Sequence, residues 1–245
     1  MIAITLSFAI MIAGIQSGVQ EALQQGIQEA LGADIILVAN QSIPISFTSN
    51  LTRITQVASA TPLSPSDHPA KALGKSGNSS IGILAVDPSV FPNIISYTFV
   101  NSPTVSQVYS QLASDNRSLL IPDSLASKLG VVVGDQLSIL TRNSTVNNTN
   151  STVPFTVAGV FTGPVLQYIQ FGEHFASDSV VVSFASQREY FAGRDTAPLF
   201  LVDLRSQYKS QAADYWTISW RRNISRPLRV PTSSTWWIVV VERSY

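Results

Sequence analysis

The sequence predicts an α+β protein in which strands predominate over short helices, and three observations support this fold class. Apolar runs rich in valine and isoleucine recur along the 245 residues. The segments with helical spacing of apolar residues are short, and strands and helices do not alternate in the rhythm of a parallel βαβ sheet. Hydrophobic residues make up 45% of the chain, enough for a sizeable core in one large domain or two small ones. We expect a mixed, strand-rich domain of two lobes.

The charge content is low and balanced. Charged residues are 12% of the chain, with 15 basic and 15 acidic side chains, so no overall field would attract nucleic acid. Polarity comes from 34 serines and 17 threonines, which suits a surface that faces the outside of the cell. The chain has no cysteine, which excludes a disulfide scaffold, a cysteine zinc site and a thiol nucleophile. We expect no nucleic-acid partner.

Eight of the eleven asparagines begin an Asn-x-Ser/Thr sequon, whereas chance would give roughly two. Sequons in such excess are typical of exposed loops in an exported glycoprotein. The alternative is a loop composition that is simply rich in Asn, Ser and Thr. The candidate glycosylation sites are Asn40, Asn50, Asn78, Asn116, Asn143, Asn147, Asn150 and Asn223.

The first fifteen residues are almost entirely apolar. Residues 2–15 would span about 21 Å as a helix, less than the roughly 30 Å of a bilayer core. A signal peptide would need a basic start, yet the first basic residue is Arg53. We therefore expect residues 1–15 to be part of a transmembrane helix that begins before the sequence does. A signal peptide and a buried core helix remain alternatives.

Residues 16–32 are predicted to continue as an amphipathic stalk helix. Apolar side chains recur near the 3.6-residue helical period, and Gly32 supplies a helix stop. The apolar face would pack either against a partner stalk across a dimer or against the domain's own core. Its residues are Ile15, Val19, Ala22, Leu23, Ile27, Ala30 and Leu31.

The chain then enters the domain. Asp34–Ala39 predicts a strand, and Ile43–Phe47 predicts a second strand interrupted by Pro44. Asn50 is expected to cap a short helix that continues through Val57. The Pro-, Ser- and Gly-rich segment Ala58–Ser80 predicts a loop with one extended piece. The apolar run Ile81–Val86 predicts a buried strand, and the Asp87-Pro88 pair after it predicts a turn.

The middle of the chain predicts a compact helix–turn–strand unit. After a helix over Thr104–Ala113 and a strand over Ser118–Ile121, Pro122 begins a second helix that Gly130 ends in the left-handed conformation. Gly134 and Asp135 form a turn into the next strand. The helix should bury one apolar face, made of Leu125, Ala126 and Leu129.

Paired strands and a closing helix follow. Two strands are predicted at Gln136–Thr141 and Val153–Phe161. The segment that joins them, Asn143–Thr152, carries three sequons and is expected to be exposed. Ser179–Phe184 predicts a buried strand, followed by a helix that ends at Gly193, and Pro198–Leu204 predicts the last strand.

Motifs of catalysis are absent from the sequence. It has no nucleophile elbow, no phosphate-binding glycine loop and no H-E-x-x-H. Each of its two histidines has an acidic neighbour, in the pairs Asp67-His68 and Glu173-His174, so a shared metal site is conceivable. Solvated loop histidines are the simpler interpretation. We therefore expect no catalytic, cofactor-binding or metal-binding residue.

Five short segments instead follow one another in an ordered set. They are "GADIILV", "ILAVDPSVF", "IPDSLASKLGVVVGDQLSI", "FTVAGVF" and "SVVVSFASQREYFAG". Together, after a membrane helix and stalk, they resemble the extracytoplasmic core domain of MacB/FtsX-type ABC-transporter permeases. Residues 1–205 carry the resemblance, with Ala85 standing where glycine is common in that family.

The resemblance implies a layout and a set of structural or coupling residues. Residues 33–205 form the core domain, with a second lobe at about 70–165, and residues 206–245 are an unassigned tail, because the further membrane helices of the family are not visible there. The residues are Gly32, Asp34, Ile35, Pro122, Leu125, Ala126, Leu129, Gly130, Gly134 and Asp135.

The resemblance also implies a function without enzymatic activity. The domain would face the outside of the cell membrane in a homodimer or heterodimer of permeases, paired with a cytoplasmic ATP-binding subunit. ATP-driven motion would pass through the stalk, with Gly32–Ile36 as the segment that couples the stalk to the domain. Two alternatives stay open at this point: a free exported glycoprotein with a binding role, and an exported hydrolase.

Overall fold

A computed structural model of the chain describes residues 33–66, 69–95, 97–100, 103–142, 150–162, 178–209 and 236–240. The described strands are β1 Ile35–Pro44, β2 Val57–Pro65, β3 Ala70–Leu73, β4 Asn78–Val86, β5 Thr98–Val100, β6 Ser118–Pro122, β7 Gln136–Arg142, β8 Asn150–Thr162, β9 Ser179–Ser183, β10 Thr196–Leu204 and β11 Trp236–Val240. The described helices are α1 Thr48–Leu51, α2 Phe91–Ile94, α3 Val105–Ser114, α4 Asp123–Leu129, α5 Phe184–Tyr190 and α6 Ser206–Lys209, with a 3₁₀ turn at Ile45–Phe47.

All the described strands belong to one mixed sheet in the order β11-β1-β10-β2-β4-β3-β7-β8-β6-β9, with β5 paired to β8. A further pairing of β4 with β9 closes a circuit of six strands: β4, β3, β7, β8, β6 and β9. The remaining four strands of the order extend from β4 as an arm. Two pairs, β4 with β9 and β6 with β8, are parallel, whereas the others are antiparallel.

Two cores lie on opposite faces of this sheet. Neighbouring residues of a strand point to opposite faces, so Ile35 belongs to one core and Ile36 to the other. The same alternation holds in β4, where Ile83 and Leu84 belong to different cores. Because both faces are buried, these strands are continuous apolar runs rather than alternating ones.

Short helices cover the two faces. Leu51 of α1, Leu125 of α4 and Phe184 of α5 pack into the first core. Phe91 of α2 and Leu112 of α3 pack into the second. Each helix is too short to be stable alone, so this packing stabilises it.

The structure confirms the α+β class and the strands and helices expected from apolar runs. Thus β4, β6, β7, β8 and β10 contain the predicted strands, and α3 and α4 match the predicted helices to within a residue at each end. β9 ends at Ser183, one residue before the predicted end, because Phe184 already begins α5, and α5 ends at Tyr190 rather than at Gly193. Asp34–Ala39 lies in and next to β1, and Ser179–Phe184 in and next to β9; these strands share the sheet but are not neighbours. The division into lobes at about 70 and 165 stays a prediction.

Three expectations about residues 43–80 were wrong. β1 continues through Pro44, and Ile45–Phe47 is a 3₁₀ turn rather than part of a second strand. Asn50 lies inside α1, which Phe47 precedes as N-cap. The helix ends at Leu51, whose side chain is buried, and residues 52–56 form a turn that leads into β2 at Val57, so the helix does not continue to Val57.

The segment Ala58–Ser80 is not mainly loop, because it holds most of β2, all of β3 and the start of β4. The prediction was wrong because polar residues were taken to indicate an exposed loop, whereas Thr61, Ser64 and Ser79 are buried in strands. Pro62 is tolerated in β2 because β4 pairs only with residues 63–65, so β2 has one neighbouring strand at Pro62.

Several predictions fall on residues outside the described ranges. These are the membrane helix at 1–15, the stalk at 16–32, the two histidine pairs and residues 143–149 of the predicted exposed segment Asn143–Thr152. The last three residues of that segment are not loop as predicted, because they begin β8 and pair with the end of β7. Across the part of the chain that the structure covers, no helix is both long and apolar enough to cross a bilayer.

Candidate functional site at the first and last strands

Asp34 lies at the point where the chain enters β1. It is 2% exposed, and the neighbouring Ala33 and Ile35 are 0% exposed. Every residue from Ala33 to Ala39 is buried. The start of the domain is therefore anchored in the core on both faces of the sheet, and a carboxylate is buried there.

A buried carboxylate needs hydrogen bonds, and Asp34 forms one with the end of β10. The backbone N–H of Leu204 donates to Asp34 Oδ2 at 2.7 Å, in a buried position. The backbone N–H of Asp34 donates to the Val202 carbonyl at 3.1 Å. Ile35 pairs with Val202 in the antiparallel ladder. Backbone and side chain thus fasten the start of β1 to the end of β10.

The end of β10 is also fixed to β2. The backbone N–H of Arg205 donates to the Gln56 carbonyl at 2.9 Å, and its side-chain Nε donates to the Val57 carbonyl at 3.4 Å. Because β1 and β10 are antiparallel, the chain enters at Ala33 and leaves at Arg205 at the same end of the sheet. We call this region, residues 33–36 with 202–205, the joint.

β11 lies on the other side of β1, where Ile35 pairs with Val240 and Ala39 with Trp236. The entering strand is thus flanked by β10 and β11. From the sequence, residues 206–245 are an unassigned tail, because the further membrane helices of the family are not visible there. The apolar run Trp236–Val240 is the feature of the sequence from which β11 could have been predicted.

The helix–turn–strand unit at residues 122–135 has the geometry that the sequence predicts. Pro122 is the N-cap of α4, and Leu125, Ala126 and Leu129 are buried. Gly130 ends the helix with φ of 66°, in the left-handed region. The Val131 N–H donates to the Ala126 carbonyl at 3.0 Å, which completes the cap.

The turn between β3 and β4 closes over the end of α4. The Ser76 N–H donates to the Leu129 carbonyl at 3.0 Å. Lys75 Nζ donates to Asp135 Oδ2 at 2.6 Å, and the Val132 N–H donates to the same oxygen at 2.9 Å. The Lys75 hydrogen bond first, and the Val132 N–H second, hold the pKa of Asp135 below its usual range.

Gly134, with φ of 87°, donates its N–H to the Val157 carbonyl at 2.8 Å, which joins the unit to β8. The buried face of α4 belongs to the same core as Ile35. The unit therefore packs the domain, and its polar groups are used in local hydrogen bonds rather than gathered into a reactive cleft.

Two links between distant segments had no sequence signal. Gln187 in α5 is 2% exposed, and its Nε2 donates to the Ser64 carbonyl at 3.0 Å. At the surface, Arg117 Nε donates to the Tyr190 hydroxyl at 3.0 Å, and this bond is the first cause that raises the pKa of Arg117. Such partners become neighbours only when α5 is packed against β2 and beside the start of β6.

Within the described residues, the remaining residues predicted from the sequence do not form a common site. Among the described residues, no group of three or more His, Asp or Glu side chains could hold a metal ion. Gly32, Asn143, Asn147 and Asn223 lie outside the described ranges. The other sequons begin in β1 (Asn40), α1 (Asn50), β4 (Asn78), the turn before β6 (Asn116) and β8 (Asn150).

Residues 1–214 match the MacB-like periplasmic core domain family. Because this match covers most of the 245 residues, the chain belongs to that family. The resemblance seen in the five sequence segments is thereby confirmed. A search of curated proteins found no match to the sequence.

Three solved structures share the fold at low sequence identity. The periplasmic region of MacB from Actinobacillus actinomycetemcomitans is 12% identical with a TM-score of 0.57, and the match covers 86% of this chain and 90% of that one. The extracellular domain of the noncanonic ABC-type transporter YknZ from Gram-positive bacteria is 15% identical with a TM-score of 0.51, covering 73% and 88%. A domain of a putative permease protein from Porphyromonas gingivalis is 16% identical with a TM-score of 0.53, covering 86% and 92%.

Proposed function

We propose that this chain is the extracytoplasmic domain of an ABC-transporter permease and that it transmits movement from a cytoplasmic ATP-binding subunit to the outside of the cell membrane. Family membership supports the domain assignment. The structures with the same fold include the periplasmic region of MacB and the extracellular domain of an ABC-type transporter. The proposal assigns no chemical reaction to the domain.

The hydrogen bond from the Leu204 N–H to Asp34 Oδ2 carries the proposal. Force from a stalk would reach the domain at residue 33, immediately before this bond. A loose connection would absorb the movement locally, whereas a buried, hydrogen-bonded one moves the strands with it. Because β1 lies between β10 and β11, a shift of Ile35 is passed to both neighbours through the ladder.

The partners in this proposal are a second permease and the ATP-binding subunit. The stalk helix predicted for residues 16–32 would have apolar side chains on one face, which would pack against the partner stalk. If Leu23→Asp leaves the melting temperature unchanged but uncouples ATP hydrolysis, the face belongs to a dimer contact. If it lowers the melting temperature and leaves coupling intact, the face covers the domain's own core.

The test measures movement in the full permease, copurified with its ATP-binding subunit and placed in lipid vesicles. The chain has no cysteine, and Val132 is 64% exposed, so Val132→Cys provides a labelling site within it. In a dimer, the distance between the two labels should change when vanadate traps ADP in the ATP-binding subunit after one round of ATP hydrolysis. Asp34→Ala should reduce this change while ATP hydrolysis continues.

Asp34→Asn is the matched control at the joint, since its amide oxygen can still accept the hydrogen bond from the Leu204 N–H. Asp123→Asn alters an exposed aspartate at the start of α4 and should behave as the unmodified protein. Equal movement in Asp34→Ala and the unmodified protein would contradict coupling through the joint. Failure of the permease to copurify with an ATP-binding subunit would contradict the proposed function itself.

A further inference from the structure

We propose that Asn78 is an N-glycosylation site of this chain. Its asparagine and hydroxyl residue, Asn78 and Ser80, are both exposed, which is not so for the sequons that begin at Asn50 and Asn116. The proposal depends on the local backbone and does not require coupling through the joint. It requires only that the segment reach a compartment with a glycosylating enzyme.

The strand geometry of β4 places the two groups of the sequon together. Side chains at positions i and i+2 of a strand lie on the same face. The first three residues of β4 are exposed, buried and exposed in turn, so Asn78 and Ser80 face solvent while Ser79 points inward. Ser79 is held there by Lys128, whose Nζ donates to its Oγ at 2.9 Å. An enzyme can therefore reach the asparagine amide and the hydroxyl from one side.

The surroundings of Asn78 have room for a glycan. Residues Lys75, Ser76 and Gly77 in the preceding turn are exposed. A Cβ added at Gly77 would meet no atom within 4 Å, so the space beside Asn78 is open. A glycan there would extend from the turn without displacing a core side chain.

Asn116 lacks this geometry although it has the same sequence motif. Its Nδ2 donates to Glu189 Oε2 at 3.0 Å. The hydroxyl residue of this sequon, Ser118, is 0% exposed, and its Oγ donates to Asp115 Oδ2 at 2.8 Å. In the folded chain both groups are engaged, so Asn116 serves as the internal comparison.

Asn50 differs for another reason. It lies in α1, and residues two positions apart on a helix do not face each other. The Thr52 hydroxyl also donates to the Ser49 carbonyl at 3.2 Å. The asparagine amide and the threonine hydroxyl therefore point in different directions in the folded chain.

The reaction needs a lipid-linked sugar donor, in which C1 of the first sugar is bonded to a phosphate oxygen. The Nδ2 of Asn78 forms a bond to C1 as the C1–O bond to phosphate breaks. The lipid phosphate leaves with the electron pair of that bond, and Nδ2 loses one proton to a base of the glycosylating enzyme. No oxidant or reductant is required, and the amide keeps its remaining proton.

The test is glycopeptide mass spectrometry of the full chain purified from its own host. Trypsin would place Asn78 and Asn116 in one peptide, residues 76–117, so it cannot separate them. A protease that cuts before aspartate yields residues 67–86, which contain Asn78 as their single sequon. We expect a hexose- or hexosamine-containing mass on this peptide and none on the peptide that begins at Asp115.

Variants of the hydroxyl residue make the test specific. Ser80→Ala keeps Asn78 but should abolish the modification, whereas Ser80→Thr should retain it. Both changes are at an exposed position and should leave the fold intact. An unmodified Asn78 in the host protein would overturn the proposal, as would a glycan that persists in Ser80→Ala. Copurification with the ATP-binding subunit, measured on the same samples, distinguishes this result from a failure of the proposed function.

Discussion

The carboxylate of Asp34 accepts a hydrogen bond from the Leu204 N–H at 2.7 Å, across 170 positions of sequence. It joins the first strand of the described domain to the last strand before residue 205. The contact is buried, so water cannot replace it when it is lost. The two ends of the domain are therefore held in one register by a side chain as well as by the ladder.

Asp34→Ala should destabilise the chain by about 1–3 kcal/mol, because it leaves the Leu204 N–H buried without its acceptor. The measurement is the free energy of unfolding from urea titration. Asp34→Asn should lose less stability, since its amide oxygen can still accept the hydrogen bond from the Leu204 N–H. An Asp34→Ala midpoint equal to that of the unmodified chain would show that the bond contributes nothing net.

Gly130→Val should destabilise the chain by about 1 kcal/mol or more, because φ at Gly130 is 66° and a β-branched residue is strained there. A side chain would also run into the Ser76 hydroxyl. Thermal unfolding of Gly130→Ala and Gly134→Ala separates the two effects. Gly134 also has positive φ, at 87°, but no atom lies within 4 Å of its added Cβ.

The larger loss is therefore expected at Gly130, and the difference between the two alanine variants reports the contact with Ser76. Gly77→Ala is the matched control, with open space and no positive φ. A loss at Gly77 as large as that at Gly130 would contradict the explanation from backbone conformation.

Elements with a strong local signal could be predicted from the sequence. The run Ile81–Val86 is apolar at all positions but Gly82, and the Pro122-to-Gly130 helix has a start, a buried face and a stop within nine residues. Such signals depend on neighbours along the chain, which the sequence displays directly. The loop predicted for Ala58–Ser80 was wrong, because Ser64 is buried and its carbonyl accepts a hydrogen bond from Gln187, a contact that the sequence does not show.

The candidate site was predictable only in part, for the same physical reason. The segment beginning at Gly32 marked Asp34 as a residue of interest through the family resemblance. Its partner is the backbone N–H of Leu204, which any residue other than proline could supply, so sequence carries no trace of the pairing. The pairing of β1 with β11 likewise depends on strand order rather than on any local pattern.

Tyr97→Phe should leave the stability unchanged or raise it, by up to about 1–3 kcal/mol, because a buried hydroxyl without a partner costs free energy. The Tyr97 hydroxyl is buried and has no hydrogen-bond partner within the described residues. Burial, and secondly the charge of Tyr109, raise the pKa of Tyr97 far above its usual range, so the phenol stays neutral.

Denaturant unfolding of Tyr97→Phe checks this expectation, and the stacking of the ring on Phe161, with centroids 4.2 Å apart, should be retained. Tyr97→Leu is the companion variant that removes the stacked ring as well and should destabilise the chain. A marked loss of stability in Tyr97→Phe would mean that the hydroxyl has a partner beyond the described residues, or water.

The interaction of Asp135 with Lys75 should make stability depend on pH in the acid range. The Lys75 hydrogen bond and the Val132 N–H lower the pKa of Asp135 in the folded chain. A carboxylate whose folded pKa is lowered contributes stability that is fully present above its unfolded pKa, about 3.9. That contribution is lost as the pH falls from there through the lowered folded pKa. The free energy of unfolding should therefore decrease with acidification in this window.

Lys75→Met removes the first cause of the lowered pKa and should reduce the slope, and Asp135→Asn should remove the contribution of this residue. The remaining slope belongs to other carboxylates such as Glu189, whose pKa is lowered by hydrogen bonds with Tyr190 and Asn116. The Lys75 side chain is 63% exposed, so added salt should also weaken the effect. The measurement is urea unfolding at a series of pH values at low and high salt. Identical pH profiles for Lys75→Met and the unmodified chain would contradict the role of this ion pair, because the Val132 N–H alone would then account for the lowered pKa.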